Sequence, residues 1–318
     1  MRDLLRAHTE PWKHVDDWSV HRMLTADPEG YLASLRDRLG QLASGQLALE
    51  LPAKQIFTDD AGDFRVMPCV TGTGGAAVKT VKVVGTNLVQ RTVPDQITVG
   101  KAVRLDPIEN FISHVYDACL LSSARTGACA AVAIKKFTPA AQRIGIVGCG
   151  RVGSYVGLYL AATGDAEIVT FDQRPSRAAA LASALTRGGA SCGAGTWDEV
   201  ADCDVLVLAT TSRAPMVAPD DTSATLVASV GADALDQREL TDEWPATASV
   251  FADSPDAFEV GDLHAWRRAG LLDPMPLTLL DMFEPSFSPP GDRRVFVSTG
   301  SGLLDNLTID YLLQRDRD

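Results

Sequence analysis

The sequence predicts an α/β fold in which a doubly wound parallel sheet is joined to a β-rich α+β unit. Three observations carry that prediction. Strand-like apolar runs alternate with helical ones through the C-terminal half, from RIGIV at 143 to RRVFVST at 293, a pattern that packs helices on both faces of a parallel sheet. A glycine turn, GCGRVG at 148–153, joins the first of those strands to a helix. Ahead of both, residues 50 to 110 carry short β-rich runs, VKTVKVVG and QITVGKAVRL, broken by TGTGG and VPD.

Taken in order, residues 16 to 45 read as helix, with Leu32, Leu35, Leu39 and Leu42 at three- and four-residue steps and a stop near Gly45. The β-rich stretch follows, then a helical run from Ala118 to Ile134 that leads into the glycine turn. Further strands are expected at VLVLAT (205–210), TLVASVG (225–231), ASVFAD (248–253) and RRVFVST (293–299), and a loop at FEPSFSPPGD (283–292). The segment GLLDNLTIDYLLQRDRD has helical character but is too short to stand alone, so it is expected to pack back on the β-rich unit.

The 318 residues suffice for two domains, and 46% hydrophobic with 22% charged residues is ordinary for a globular protein. A formal net charge of −12 argues against a general nucleic-acid or anionic-membrane surface, because such a field repels phosphates. No apolar stretch has the length of a membrane span, and MRDLLRAHTEPWKHVDDW lacks the apolar core of a signal peptide, so a cytoplasmic protein is expected. The six cysteines form no CxxC pattern and the five histidines no HxxxH or HExxH; buried reduced thiols and structural histidines are expected, and no metal site.

The segment 143–172, RIGIVGCGRVGSYVGLYLAATGDAEIVTFD, has the form of a dinucleotide-binding βαβ unit of the Rossmann type. Gly148 permits the tight turn, Gly150 lets backbone approach a pyrophosphate, and Gly153 lets the helix pack against its strand. Arg151 and Val152 sit in the same loop. Asp172 ends the second strand where a ribose 2′-hydroxyl needs an acceptor, with Gln173 and Arg174 behind it. Asp172 points to NAD; Arg174 could offset a 2′-phosphate and keeps NADP open. Thr210, Thr211 and Ser212, after a sheet strand, suit the nicotinamide side, and Val230, Thr299 and Gly300 complete the expected cofactor set.

These features together resemble the ornithine cyclodeaminase/mu-crystallin family. The resemblance rests on Met67-Pro68, Lys79 with Asn87, the run Ala124 to Ala128, the GCGRVG loop, Thr210-Thr211-Ser212, Gly231-Ala232-Asp233, the run Glu259 to Leu263 and Ser298-Thr299-Gly300. It implies NAD(P)-dependent chemistry on amino acids and imines. It also implies a β-rich substrate-binding and dimerisation domain, residues 1–124 with 302–318, a Rossmann domain, 125–301, and a homodimer.

Residue by residue, the resemblance implies that Arg125 and Lys79 hold the substrate carboxylate, which suits a planar guanidinium fork and a compact ammonium. The alternative for both is a surface or ion-paired cation. It makes Asp233 and Lys79 the catalytic pair, Asp233 acting on the substrate nitrogen or on an attacking water; Asp233 also suits an N-cap before ALDQREL. Lys54, Arg65 and Met67 complete the substrate set. Three positions depart from the cyclodeaminase pattern: Lys54 replaces an Arg, Arg65 a Glu, and Gln237 a Lys. A cationic Arg65 repels a distal ammonium and favours a second carboxylate, unless it points to solvent. The expected activity is therefore an NAD-dependent oxidoreductase moving hydride to or from the α-carbon of an amino acid, an N-substituted amino acid, including those with several carboxylates, or its imine. Two rivals are an ornithine- or lysine-type cyclodeaminase and a non-catalytic NAD(P)H-binding protein.

Overall fold

A computed structural model describes residues 2–60 and 62–315. The outermost limits expected for the β-rich domain, residues 1 and 318, lie outside the described residues. Its strands are β1 (Lys13–Val15), β2 (Leu49–Glu50), β3 (Gln55–Asp59), β4 (Gly62–Thr71), β5 (Val78–Thr86), β6 (Thr98–Leu105) and β7 (Ile112–Asp117). They form one mixed sheet in the order β1-β7-β6-β5-β4-β2, with β3 pairing β4 as well. A second sheet, parallel throughout, contains β8 (Arg143–Val147), β9 (Glu167–Phe171), β10 (Cys192–Ala194), β11 (Val205–Leu208), β12 (Leu226–Ser229), β13 (Ser249–Ala252), β14 (Leu277–Thr278) and β15 (Arg294–Val297). Its order is β10-β9-β8-β11-β12-β15-β13-β14. The order reverses at β8, beside β11, and a crevice outside the carboxyl ends of strands at such a switch point is where ligands bind in this architecture.

The continuous helix expected over 16–45 is instead two, Asp17–Thr25 and Pro28–Ala43. Pro28 has no N–H to donate and disfavours helical backbone before it, so it fits only at a helix start. There Asp27 caps the second helix by accepting from the Gly30 amide at 2.9 Å. The second helix ends where expected, ahead of Gly45 in the left-handed region (φ 72°).

The helix Ala118–Phe137 lies between the two sheets and is buried on nearly every side, as its small apolar residues dictate. A Cβ on Gly127 would stand 2.6 Å from Tyr155 Cβ, so the helix opened by the glycine turn is held at backbone distance. This helix crosses positions 124 and 125, and the two expected units share it. The helix Gly302–Arg315 returns to the mixed sheet, as expected, where Asn306 donates to the carbonyls of Cys69 and Val78 at 3.2 and 2.8 Å.

The mixed sheet has two unlike faces. Met67, Cys69, Thr71, Val78, Thr80 and Lys82 point inward and are buried. On the other face the exposed Phe64 stacks on Phe57 with ring centroids 4.7 Å apart, and Val83 is exposed nearby. The cysteines are all free, and every one except the half-buried Cys192 is buried. Among the described residues, no helix is long and apolar enough to cross a membrane.

Candidate functional site

At the carboxyl ends of the parallel strands a cleft of about 640 Å³ opens between the two sheets. Its floor on one side is the glycine turn. Gly148 adopts φ 93°, and a Cβ there would lie 2.5 Å from the Ala209 carbonyl; a Cβ on Gly153 would lie 2.0 Å from the Gly148 carbonyl. Gly150 has nothing within 4 Å of where a Cβ would stand and faces the cleft as N-cap of the helix Arg151–Ala162. That is the arrangement a pyrophosphate needs: open backbone at a helix N-terminus. Arg151, Val152, Arg174, Thr210, Thr211, Val230, Thr299 and Gly300 border the same cleft.

The remaining residues expected to hold the cofactor stand behind it. Gly148 and Gly153 shape the turn and do not themselves border the cleft, and neither do Gln173 and Ser212. The Ser212 hydroxyl donates to the Ala214 carbonyl at 2.7 Å, closing its own loop. Asp172 accepts from the Cys149 amide at 2.9 Å and from the Arg174 amide at 2.8 Å, so it ties the glycine turn to the end of β9. Arg177 joins Arg174 on the wall, one turn into the following helix.

The end of the cleft expected to hold the substrate places Lys79 elsewhere. In a strand, residues three apart point to opposite faces. Lys79 is therefore on the outer face of β5, where its amine donates to the Pro107 carbonyl at 2.8 Å and to Asn110 Oδ1 at 2.6 Å. Lys82 takes the inner face with Val78 and Thr80, is 1% exposed and borders the cleft. The resemblance aligned the first lysine of VKTVK, whereas alternation along the strand selects the second.

Lys82 belongs to a buried ionic cluster. Its Nζ lies 2.7 and 2.8 Å from the two oxygens of Asp305, and Asp305 also accepts from Arg125 Nε at 3.0 Å. Burial, and after it the Arg125 charge, push the Lys82 ammonium down to about 7 against the opposing pull of Asp305. Arg125 is 7% exposed, and its Nη1 has no hydrogen-bond partner among the described residues. A guanidinium nitrogen buried without an acceptor is costly unless a ligand supplies one. Gly300 (φ 88°) lies flat against this group: a Cβ would meet Arg125 Nη2 at 2.6 Å. Met67, 4% exposed, packs on the same wall.

Arg65 does not point to solvent. It is 7% exposed and donates from Nε and Nη2 to Asp63 Oδ2 at 2.9 and 2.6 Å, and from Nη1 to Asp233 Oδ2 at 3.3 Å. Thr86 donates to the other oxygen of Asp63. Asp233 is no N-cap, because residues 234–236 form a turn, 237–239 are irregular and no helix begins there; the Gln237 side chain accepts from the Asp233 amide at 3.1 Å and also borders the cleft. Lys54 stays behind the wall. Its amine donates to Thr299 Oγ1 at 3.2 Å and the Gly300 carbonyl at 3.3 Å, bracing the turn that lies on Arg125.

Lys82, Asp305 and Asp63 were thus missed by the sequence reading. A period-two count along β5 could have found Lys82, and an acid at the fourth position of the apolar run GLLDNLTIDYLL could have flagged Asp305. The break expected at VPD is the loop after β5, which Asn87 organises through the Val93 and Gln96 carbonyls; that its Gln90 and Asp95, with Ile97, border the cleft was not foreseen.

Among curated proteins, the alanine dehydrogenase of Archaeoglobus fulgidus is 28% identical over 210 residues, which span 64% of this chain and 63% of that relative's length. Among solved structures, an archaeal alanine dehydrogenase dimer with bound NAD has a TM-score of 0.84 at 22% identity, over 96% of this chain and 95% of that one. Thermococcus litoralis Δ1-pyrroline-2-carboxylate reductase in complex with NADH and L-proline gives 0.83 at 19% identity, over 96% and 97%. These likenesses show the fold. The family model of the ornithine cyclodeaminase/mu-crystallin family matches residues 24–273, and with the glycine turn, cation cluster and Asp233 gathered on one cleft, the chain belongs to that family.

Proposed function

We propose that this protein is an NAD-dependent oxidoreductase that moves hydride to or from the α-carbon of an amino acid or its imine. One observation carries the reading: the open glycine turn, the buried Arg125, whose Nη1 lacks a hydrogen-bond partner among the described residues, and Asp233 all border a single cleft. The cradle at Gly150 and the anion-ready arginine fit a dinucleotide and a carboxylate respectively.

Gly150, Arg151 and Val152 would hold the pyrophosphate, Thr210, Thr211, Val230 and Thr299 the nicotinamide side, and Asp172 the ribose end from behind the turn. When bound, the cofactor supplies or accepts the hydride. Arg125 and Lys82 clamp the α-carboxylate, which fixes the face that the α-carbon presents. Asp233 takes a proton from, or returns one to, the substrate nitrogen, and Arg65 holds it in place. Asp172, an acid at the end of β9 beside the glycine turn, supports NAD as the first reading; Arg174 and Arg177 on the wall favour NADP as the second.

Arg65 also bears on the substrate. Its charge, 3.3 Å from Asp233, disfavours a distal ammonium in a partly dry cleft. Amino acids without such a cation, including dicarboxylates, are the proposed class, although two carboxylates of the chain already share this guanidinium. A screen of amino acids, and of 2-oxo acids with ammonia, following NADH absorbance tests the proposal. Stoichiometric NADH change with neutral or acidic substrates is expected; conversion of ornithine to proline with ammonia release and no net NADH would replace it with cyclodeamination. We further propose a homodimer built on the outer face of the mixed sheet, since Phe57, Phe64 and Val83 leave apolar area uncovered there. Light scattering at micromolar concentration should return twice the monomer mass.

A further inference from the structure

A second buried carboxylate sits directly beneath the cleft. Glu239 is 0% exposed, and its Oε1 accepts from the Thr210 amide at 2.7 Å and the Thr210 hydroxyl at 2.8 Å. Its Oε2 accepts from the Ser229 hydroxyl at 2.7 Å and the Gly231 amide at 3.1 Å. Those donors lie at the carboxyl ends of two adjacent strands, β11 and β12, and Thr210 and Gly231 both border the cleft. The strand ends meet so closely that a Cβ on Gly231 would stand 2.1 Å from the Thr210 carbonyl and 2.5 Å from Glu239 Oε1.

All four donors are neutral. Arg238, the neighbouring cation, is spent on Asp262 at 2.7 Å and Asp242 at 2.7 Å. Asp262, also buried, accepts from the amides of Glu239 and Leu240 at 3.2 Å each, fixing the segment that carries Glu239. Burying a carboxylate without a cation is expensive, and a strand junction could be packed far more cheaply with apolar side chains. What the carboxylate adds is direction: it fixes two backbone amides and two hydroxyls at defined angles. Asp233 follows Gly231 by two residues.

We propose that Glu239 is a positioning residue that locks the ends of β11 and β12 together, and through the Gly231–Asp233 turn sets where Thr210 meets the cofactor and Asp233 meets the substrate nitrogen. This rests on the functional reading above. Glu239→Gln keeps the shape but turns an amide NH2 toward N–H and O–H donors, so at least one bond is lost.

NADH titration by fluorescence and steady-state turnover test the proposal, with circular dichroism to verify folding. Glu239→Gln should weaken NADH binding about 5-fold and lower kcat about 30-fold. In an Asp233→Asn background the same change should cost less than about 3-fold in residual kcat, because residues acting as a unit are not additive. Wild-type kcat and NADH affinity in Glu239→Gln, or an undiminished kcat penalty beside Asp233→Asn, would overturn the proposal. If Glu239→Gln does not fold, Ser229→Ala decides: removing one of the donors should weaken NADH binding about 3-fold, and unchanged affinity overturns the idea. A wild-type protein that fails to bind NADH would overturn the functional reading itself, and this inference with it.

Discussion

Asp305 and Glu239 are both buried carboxylates beside one cleft, yet they are neutralised in opposite ways. Asp305 is held by two cations, Lys82 and Arg125, while Glu239 is held by two hydroxyls and two amides. The contrast follows the ligand proposed at each place. Around Asp305 the protein must present positive charge to a carboxylate, so it keeps surplus cation and spends only one acid on it. Around Glu239 the nicotinamide side needs fixed backbone without surplus charge, so neutral donors suffice. The same cost of burial is thus met once by charge and once by geometry.

The strongest way to break that contrast is at Asp305. Asp305→Ala should lower unfolding free energy by about 3–5 kcal/mol in urea denaturation, because it leaves two cations buried without their acid. Asp305→Asn, which keeps the shape, should lose less. Next in size is Arg125→Ala. Removing the guanidinium should reduce kcat/KM by about a hundredfold or more in a protein that still folds, matching about 2–5 kcal/mol for an unpaired buried carboxylate. Unchanged kcat/KM would sink the carboxylate clamp.

The smallest and sharpest test concerns pH. Lys82, pushed down to about 7 chiefly by burial, is charged below that value and neutral above it. In the direction of imine reduction, kcat/KM should therefore fall as pH rises through about 7. Lys82→Arg keeps its charge throughout, so the inflection should vanish from a pH–rate profile. An inflection that persists in the variant would assign it to another group. The opposite burden falls on Glu239, which burial pushes up to about 7. Its contribution to stability is present below about 4.5 and is lost as pH rises through about 7.

Most of the architecture was legible in the sequence because it follows from local rules. Glycine spacing fixed the βαβ turn, and apolar alternation marked the parallel strands. Side-chain partnership was less legible. Lys79 and Lys82 are equally basic and three residues apart; only the parity of β5 separates the one facing outward from the one facing the cleft. Arg65 was recognisable as a departure from the cyclodeaminase pattern, but its partners Asp63 and Asp233 meet it across 2 and 168 positions. The helix expected over 16–45 is split for a local reason, the proline at 28, while the leucines at 32, 35, 39 and 42 all fall on the buried face of the second helix.

The cation cluster has a consequence for how the chain matures. Lys82 and its acid are 223 positions apart, and Arg125 and the same acid 180. A polypeptide emerging in sequence exposes both cations long before the helix Gly302–Arg315 arrives. Until then the inner face of the mixed sheet carries two charges that cannot be buried cheaply, and the crossing helix lacks the element that covers it. Docking of that helix closes the core and completes the proposed anion site in one event. Chains released before residue 305 would lack both a settled interior and the proposed clamp, so on that reading assembly and readiness for substrate are one step.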